Sequence, residues 1–332
     1  MKKRKPSEEE AEVPNGEVLT KKIPLKGGPE FFMNRILKKR WLAENVVELE
    51  IEAPEAVRNA RPGQFVILRV DEEGERVPFT ICDMDRERGS ITLLVQTVGY
   101  STARLAALNE GDFVHDFTAP LGNATDLDGY SRVLLVGGGI GTAVIFPQAK
   151  HLREIGKPAD VVVGARNKSL LMYEEEFRRQ AGSLFLITDD GSSGRKGFVT
   201  DVVRELISRP DSPYDVVFAV GPLPMMRAVC EVTRPFGLRT IVSMNSIMVD
   251  GTGMCGGCRL TVGGQVRYAC VHGPEFDGHQ VDFEEAINRS GMYREQEQAH
   301  YCRLKEGKIR DQRPPDGFGL RASLPAPKSP KT

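Results

Sequence analysis

Strands and helices alternate along residues 131–245, and this alternation constrains the fold more than any other feature of the sequence. Apolar, β-branched runs of strand length lie at 133–136, 160–163, 184–187, 216–220 and 240–243. Ile145, Ala149, Leu152 and Ile155 follow the period of an amphipathic helix, although Pro147 places a helix breaker among them. Consecutive strands joined by helices run parallel. We therefore expect an open parallel sheet with helices on both faces.

The region before it, residues 35–117, has a different pattern. Short alternating or β-branched runs at 46–51, 65–70 and 91–95 are separated by turns rich in proline and glycine. This pattern is typical of an antiparallel barrel or sandwich. One helix-like stretch, 101–109, interrupts the strands.

Length, charge and cysteine number narrow the class of protein. The chain has 332 residues, enough for about two domains, and a formal net charge of −1. That balance gives no signal for nucleic-acid binding, and no apolar run approaches the length of a membrane-spanning helix. The N-terminus lacks the apolar segment of a signal peptide, and the 6 cysteines are not spaced as a disulfide framework. We expect a cytoplasmic protein without membrane insertion.

A glycine-rich loop follows the first strand of the alternating region. It reads Gly137, Gly138, Gly139, Ile140, Gly141 and Thr142, and a helix follows. Glycines let a backbone approach a pyrophosphate, and a helix N-terminus offers free N–H groups, so this context predicts nucleotide binding. Two features depart from a standard dinucleotide motif. Thr142 replaces the third glycine, and the second strand ends in Arg166 where an acid would hold a ribose hydroxyl.

Three cysteines lie close together in a second glycine-rich segment. Their spacing is Asp250-x4-Cys255-x2-Cys258-x11-Cys270. Plant-type [2Fe–2S] ferredoxins use C-x4-C-x2-C and a distant fourth cysteine, so this pattern fits with aspartate in the first position. The alternative is zinc, held by the three cysteines with Asp250 or His272. The glycine density and the single C-x2-C pair favour the iron–sulfur cluster.

The order of barrel, nucleotide domain and cysteine loop resembles the ferredoxin–NADP reductase superfamily. More narrowly, the chain is similar to the electron-transfer subunits of dihydroorotate dehydrogenase. It is also similar to the small subunits of NADH-dependent reduced ferredoxin:NADP oxidoreductase, also known as sulfide dehydrogenase. Aspartate as the first cluster ligand, here Asp250, is the most specific match. The resemblance covers about residues 30–300, in segments 62–66, 75–81, 120–122, 137–142, 164–166, 173–177, 188–192, 221–226 and 250–270.

The resemblance implies three cofactors: FAD on the barrel, NAD(H) on the parallel sheet and a [2Fe–2S] cluster at the C-terminal loop. The implied cluster ligands are Asp250, Cys255, Cys258 and Cys270. The implied FAD contacts are Arg76, Pro78, Phe79 and Thr80 on one strand, and Gly99, Ser101 and Thr102 at a helix start. The implied nicotinamide-nucleotide contacts are Gly137, Gly138, Gly139, Ile140, Gly141, Thr142, Arg166, Gly221, Pro222 and Met225.

Some of these implied contacts have alternative interpretations. The segment from Gly99 to Thr102 has an alternative interpretation as a helix cap without a phosphate-binding role. Arg76 stands four residues before Thr80, where the superfamily has three, and Val220 occupies a position where many relatives have cysteine. Arg166 suits the 2′-phosphate of NADP(H), whereas the narrow family is associated with NAD(H), which we favour. No acid–base catalyst is expected, because hydride transfer to a flavin requires only alignment of the two rings.

We therefore expect a lead-in at 1–30, an FAD-binding barrel at 31–128, an NAD(P)-binding domain at 129–244, a cluster module at 245–290 and a tail at 291–332. The expected function is electron transfer between NAD(H), FAD and the cluster, and onward to a larger iron–sulfur and flavin subunit. Ferredoxin is a further partner through that subunit, in an electron-bifurcating complex. The alternatives are a stand-alone NAD(P)H:acceptor reductase, a dihydroorotate dehydrogenase subunit and a zinc-stabilised nucleotide sensor.

Overall fold

The computed structural model describes residues 34–72 and 74–305. The expected lead-in at 1–30 and the tail beyond residue 305 lie outside the described residues. Within these residues the strands form two seven-stranded sheets and one hairpin. In this part of the chain, none of the helices has both the length and the apolar character needed to cross a membrane.

The first sheet is a nearly closed antiparallel barrel, as the repeated short runs predict. Its strands are β1 (Asn34–Ala43), β2 (Val46–Glu52), β3 (Phe65–Arg69), β4 (Val77–Asp85), β5 (Ser90–Gln96), β6 (Phe113–Val114) and β7 (Asp116–Leu121). Two helices lie between them, α1 (Pro54–Asn59) and α2 (Tyr100–Ala107). The strand order is β6-β1-β2-β5-β4-β3-β7, so the two outer strands follow one another in the chain.

The alternation within β2 explains how the barrel is filled. Val47, Leu49 and Ile51 are fully buried, while Glu48 and Glu50 between them are only half-buried. Because successive strand residues point to opposite faces, every second side chain enters the interior. Burial of these apolar side chains stabilises the barrel at about 25 cal/mol per Å² removed from water.

The second sheet contains every strand that the alternating region predicts. Its parallel strands are β8 (Val133–Gly138), β9 (Asp160–Ala165), β10 (Leu184–Thr188), β11 (Arg195–Lys196), β12 (Val216–Val220) and β13 (Arg239–Ser243). They lie in the order β11-β10-β9-β8-β12-β13. The order therefore reverses beside β8, and the carboxyl ends of β8 and β12 form a topological switch point, where such sheets bind ligands.

Helices cover both faces of this sheet. They are α3 (Thr142–Glu154), α4 (Glu174–Gln180), α5 (Val199–Ile207) and α6 (Leu223–Thr233). Val133 and Leu135 share a core with α3 and α4, whereas Leu134 and Val136 share one with α5 and α6. Pro147 does not end α3. Proline removes one backbone hydrogen bond, and the burial of Ile145, Ala149 and Leu152 against the sheet outweighs that loss.

The C-terminal module adds an antiparallel strand to the parallel sheet. Its elements are β14 (Arg259–Val262), β15 (Gln265–Tyr268), α7 (Ala269–His272), β16 (Glu275–Asp277), α8 (Phe283–Ser290) and α9 (Arg294–Lys305). β14 and β15 form the hairpin, and β16 pairs antiparallel with β13. The sequence did not predict β16, because three residues are too few to display a period. This pairing joins the cysteine-containing module to the nucleotide-binding sheet.

Glycines let two loops cross at the switch point. An added Cβ on Gly141 would lie 2.3 Å from the carbonyl oxygen of Val220, and one on Gly138 would lie 2.2 Å from Sδ of Met225. Real Cβ atoms do not approach other atoms so closely. Gly141 is therefore required for packing between the end of β8 and the end of β12, whereas a side chain at Gly138 would displace the flexible Met225 thioether.

We predict that Gly141→Ala lowers the free energy of unfolding by about 1–3 kcal/mol, because the methyl group forces the β12 backbone to move. Gly129→Ala is the control, since an added Cβ there meets nothing within 4 Å. Its effect is expected within about 0.5 kcal/mol. Urea denaturation of both variants measures the difference, and equal stability of the two would contradict the packing role.

Candidate functional site

The glycine-rich loop between β8 and α3 presents one open residue. Gly139 has a φ of 56°, a conformation that suits glycine, and an added Cβ there would meet nothing within 4 Å. Ile140 beside it is half-buried, whereas Gly141 and Thr142 are buried. A nucleotide at this loop can therefore approach the backbone at Gly139 and Ile140, while the neighbouring residues support the loop from inside.

The loop after β12 faces the glycine-rich loop. An added Cβ on Gly221 would lie 2.7 Å from Cε of Met225, and the Met225 thioether also lies against Gly138. Pro222 stands at the N-terminus of α6. The structure therefore brings the predicted residues of both loops together at one crevice. Met225 packs against Gly138 and Gly221, and Val220 at the end of β12 is buried.

Arg166 lies at the end of β9, next to an acidic turn. Its carbonyl oxygen accepts a hydrogen bond of 3.2 Å from the backbone N–H of Asp190, and its side chain is exposed. Hydrogen bonds from the hydroxyl and backbone N–H of Ser192 hold the pKa of Asp190 below its ordinary value. The residue that carries the exposed guanidinium and the turn that carries the carboxylate thus adjoin through their backbones, where the sequence predicts the nucleotide ribose.

The predicted flavin strand lies on a half-buried edge of the barrel. Pro78, Phe79 and Thr80 belong to β4, and Arg76 immediately precedes that strand. All four are partly exposed, and Thr80 pairs with Phe65 of β3. Phe79 packs against the barrel core, whereas Pro78 and Thr80 point to the opposite face, where a flat ring system can cover them.

The start of α2 lies beside the same strand. Ser101 donates a hydrogen bond of 2.6 Å to Glu75, the residue before Arg76, and an added Cβ on Gly99 would meet nothing within 4 Å. The start of α2 therefore lies beside the segment that carries Arg76, and a guanidinium and a helix N-terminus are both groups that bind pyrophosphate. Thr102 has a separate task. Its hydroxyl accepts from the backbone N–H groups of Val98 and Gly99, which is the capping interpretation.

Two of the predicted cluster cysteines are already adjacent. Sγ of Cys258 lies 3.3 Å from Sγ of Cys270, and the backbone N–H of Cys270 points at the Cys258 sulfur at 3.4 Å. Burial, and then the hydrogen bond with Cys258, raise the pKa of Cys270 to about 12. The Cys270 sulfur is therefore a protonated thiol until a metal replaces its proton.

The other two predicted ligands lie on the exposed side of the loop. Asp250 accepts backbone hydrogen bonds from Thr252 at 2.8 Å and from Cys255 at 2.6 Å. These bonds hold the pKa of Asp250 below its ordinary value, so it is a carboxylate at neutral pH. Sγ of Cys255 accepts a hydrogen bond of 3.4 Å from Gly257. His272 instead accepts from the backbone N–H of Tyr268 and is exposed.

This pairwise arrangement suits two irons better than one zinc ion. Across the described ranges, no three histidine, cysteine, aspartate or glutamate side chains converge as one metal ion would require. A [2Fe–2S] cluster takes four protein ligands shared between two irons. The Cys258–Cys270 pair and the Asp250–Cys255 pair match that division. Gly251, Gly253 and Gly256 have φ values of 76°, 87° and 66° and allow the loop to wrap.

The cysteine loop rests directly on the barrel. Arg76 donates a hydrogen bond of 2.9 Å from Nε to the carbonyl oxygen of Val249, next to Asp250. An added Cβ on Gly251 would lie 2.8 Å from both Ile67 of β3 and Leu121 of β7. Sequence reasoning missed this contact, because nothing in either segment indicates the other. The contact places the predicted flavin strand and the predicted cluster ligands side by side.

Comparison with known proteins agrees with this arrangement. The model of the family described as iron–sulfur cluster binding domain of dihydroorotate dehydrogenase B matches residues 245–282. A dihydroorotate dehydrogenase B (NAD(+)) electron transfer subunit homolog from Thermotoga maritima is 46% identical over 272 residues, which cover 82% of this chain and 95% of that protein. The corresponding electron transfer subunit of Bacillus caldolyticus is 36% identical over 74% of this chain and 96% of its own.

Solved structures agree as well. A chain of the NADH-dependent reduced ferredoxin-NADP oxidoreductase, studied for flavin-based electron bifurcation, is 45% identical with a TM-score of 0.77. The match covers 84% of this chain and 99% of that one. A ferredoxin reductase of carbazole 1,9a-dioxygenase, 19% identical with a TM-score of 0.54, shares the fold. The chain belongs to the family of dihydroorotate dehydrogenase B electron transfer subunits and their homologues, with a ferredoxin-reductase-like fold and an iron–sulfur-binding C-terminal module.

Proposed function

We propose that the chain oxidises NADH and delivers the electrons singly to a larger partner subunit, with FAD on the barrel and a [2Fe–2S] cluster in the C-terminal module. When bound, the flavin and the cluster together convert two-electron into one-electron transfer. The observation that carries the proposal is the hydrogen bond between Arg76 and the carbonyl oxygen of Val249. It joins the predicted flavin strand to the residue before the first predicted cluster ligand.

The residues have separable tasks in this proposal. Gly139 and Ile140 admit the nucleotide backbone at the switch point, and Pro222 bounds the opposite side of the crevice. Pro78, Phe79 and Thr80 support the flavin ring, while Arg76 and the N-terminus of α2 neutralise its pyrophosphate. The proposed domains are 31–128 for FAD, 129–244 for the nucleotide and 245–290 for the cluster.

NAD(H) is the proposed nucleotide, although Arg166 by itself would suit a 2′-phosphate. The ionised Asp190 next to Arg166 opposes a second negative charge at the ribose. The relatives from Thermotoga maritima and Bacillus caldolyticus are named for NAD(+). Both observations favour a nucleotide with a free 2′-hydroxyl.

We predict that anaerobic additions of NADH bleach the flavin absorbance of the holoprotein at lower concentration than additions of NADPH. Asp190→Asn keeps a hydrogen-bond acceptor for the turn but removes the negative charge. The ratio between the NADPH and NADH concentrations needed for bleaching should therefore fall by about 5- to 10-fold, or roughly 1–1.4 kcal/mol. Asp211→Asn, a change on a loop far along the chain, is the control. Preference for NADPH in the unchanged protein would contradict the assignment, and bleaching by neither nucleotide would overturn the proposed function.

We predict that Asp250→Ala weakens or abolishes cluster binding, because one iron loses a ligand. Asp250→Cys should retain the cluster with a changed reduction potential, since thiolate and carboxylate differ in donor strength. Iron content and the visible spectrum measure both effects. Unchanged iron content in Asp250→Ala would show that Asp250 is not a ligand.

The proposed partner docks on the surface around the cysteine loop. Met254 is 89% exposed, and Val249 and Val271 are 48% and 39% exposed. An added Cβ on Gly253 would lie 3.3 Å from Val271, so these side chains flank one stretch of the loop. Exposed apolar side chains beside a redox centre favour a protein partner there. The partner is the larger iron–sulfur and flavin subunit, and ferredoxin would exchange electrons through that subunit.

We predict that Met254→Glu separates the chain from its partner during gentle anaerobic purification, because a charge is placed in an apolar contact. Phe198→Glu introduces the same charge at a phenyl group that is 62% exposed on the nucleotide-binding domain, and should leave the complex intact. Native mass measurement distinguishes the two variants. A wild-type chain that is active and isolated alone would instead support a stand-alone reductase.

A further inference from the structure

A chain of hydrogen-bonded polar side chains joins three parts of the fold at Glu275; Gln148 in it is buried, and Thr125 and Glu275 are half-buried. Thr125 Oγ1 donates a hydrogen bond of 2.5 Å to Glu275, and Gln148 Nε2 donates one of 2.8 Å to Thr125 Oγ1. Glu275 begins β16, and Gln148 lies in α3. The backbone N–H of Thr125 donates to the carbonyl oxygen of Pro62, in the loop that leads into β3. The chain therefore links the C-terminal module, the nucleotide-binding domain and the barrel.

This chain of side chains has fewer donors than acceptors. Gln148 is 1% exposed, and its Oε1 has no hydrogen-bond partner among the described residues. The single hydroxyl proton of Thr125 is directed at Glu275. An ionised Glu275 accepts only, whereas a protonated one donates as well. One added proton therefore reduces the imbalance, and unpaired buried acceptors are costly.

Among the residues that the structure describes, no cationic side chain forms an ion pair with Glu275. Nearby titratable side chains have other partners or face solvent: Lys150 binds Asp83, His151 binds Asp128, Asp277 accepts from His279 and Gln280, and Arg61 and Asp126 are exposed. Burial raises the pKa of Glu275 to about 7, against a smaller opposing effect of the Thr125 hydrogen bond. The carboxyl can therefore gain or lose a proton near neutral pH.

The same loop holds the segment that follows the last cluster ligand. The backbone N–H of Asn123 donates to the carbonyl oxygen of Gly273 at 2.8 Å, and its side chain donates to that of Val271 at 3.3 Å. Val271 directly follows Cys270, and Glu275 lies within about 18 Å of Cys270 along the chain. An electron held at the cysteine loop adds negative charge near the Glu275 carboxyl, which favours the protonated form.

We propose that Glu275 binds a proton when the C-terminal module accepts an electron, so that reduction of the cluster is coupled to proton uptake. This inference rests on the proposed function, in which NADH is the reductant. One electron enters the cluster and one proton passes from solvent to a Glu275 oxygen, so the charge of the region is unchanged. No covalent bond between carbon or sulfur atoms forms or breaks. Glu275 acts through charge and is a positioning residue rather than a catalytic one.

The test is a reductive titration of the cluster in the holoprotein between pH 6 and pH 9, with dithionite and mediators as the electron source and the EPR signal as the readout. In the wild type, the midpoint potential of the cluster should become more negative as pH rises above about 7. The equilibrium constant for reduction should fall by up to tenfold per pH unit, which corresponds to 59 mV for one electron. Glu275→Gln should abolish this slope. Glu284→Gln, an exposed change in the same module, should keep it.

A pH-independent wild-type potential, or an unchanged slope in Glu275→Gln, would overturn the proposal. If Glu275→Gln does not fold, proton uptake is tested instead in the wild type, by the infrared difference spectrum between the oxidised and reduced cluster. A protonated-carboxyl C=O band should then gain intensity, and a spectrum without that gain would contradict proton uptake. Dithionite, not NADH, supplies the electrons in this titration. Failure of NADH to reduce the protein would therefore count against the proposed function without affecting the test of proton uptake at Glu275.

Discussion

The seating of the cysteine loop on the barrel is the interaction on which the rest of the site depends. Gly251 lies against Ile67 and Leu121 so closely that no side chain fits between them, and Arg76 binds the carbonyl oxygen of Val249. The first contact comes from β3 and β7, and the second from the residue that precedes β4, the predicted flavin strand. The residues that bracket the predicted cluster ligands are therefore held against the barrel, beside the predicted flavin strand.

A second constraint works from the other side of the module. β16 pairs with β13, so the C-terminal module is held by the nucleotide-binding sheet as well as by the barrel. At the centre of that sheet, Gly138 and Gly141 allow the loops after β8 and β12 to cross. The proposed nucleotide, flavin and cluster sites are thus arranged by backbone contacts that tolerate few side chains.

The sequence predicted the strands of the parallel sheet because their apolar runs are continuous, and it predicted the glycine loop from its context. It did not predict β1, in which Lys38, Lys39 and Arg40 hide the alternation, or β16, which is too short to have a period. The candidate site residues came from spacing and from the family resemblance, and the roles assigned to them stay predictions. Gly139 and Gly141 look equivalent in the sequence, yet one faces open space and the other a carbonyl oxygen.

The central claim is that electrons from NADH reach the C-terminal cysteines through this chain. The most direct measurement is an anaerobic EPR spectrum of the purified holoprotein before and after addition of NADH, with Cys258→Ser beside the wild type. We expect a rhombic signal of a reduced [2Fe–2S] cluster in the wild type, and flavin bleaching without that signal in Cys258→Ser. A wild type that bleaches its flavin but gives no cluster signal, although dithionite produces one, would contradict the path. A colourless protein that holds zinc would contradict the whole account.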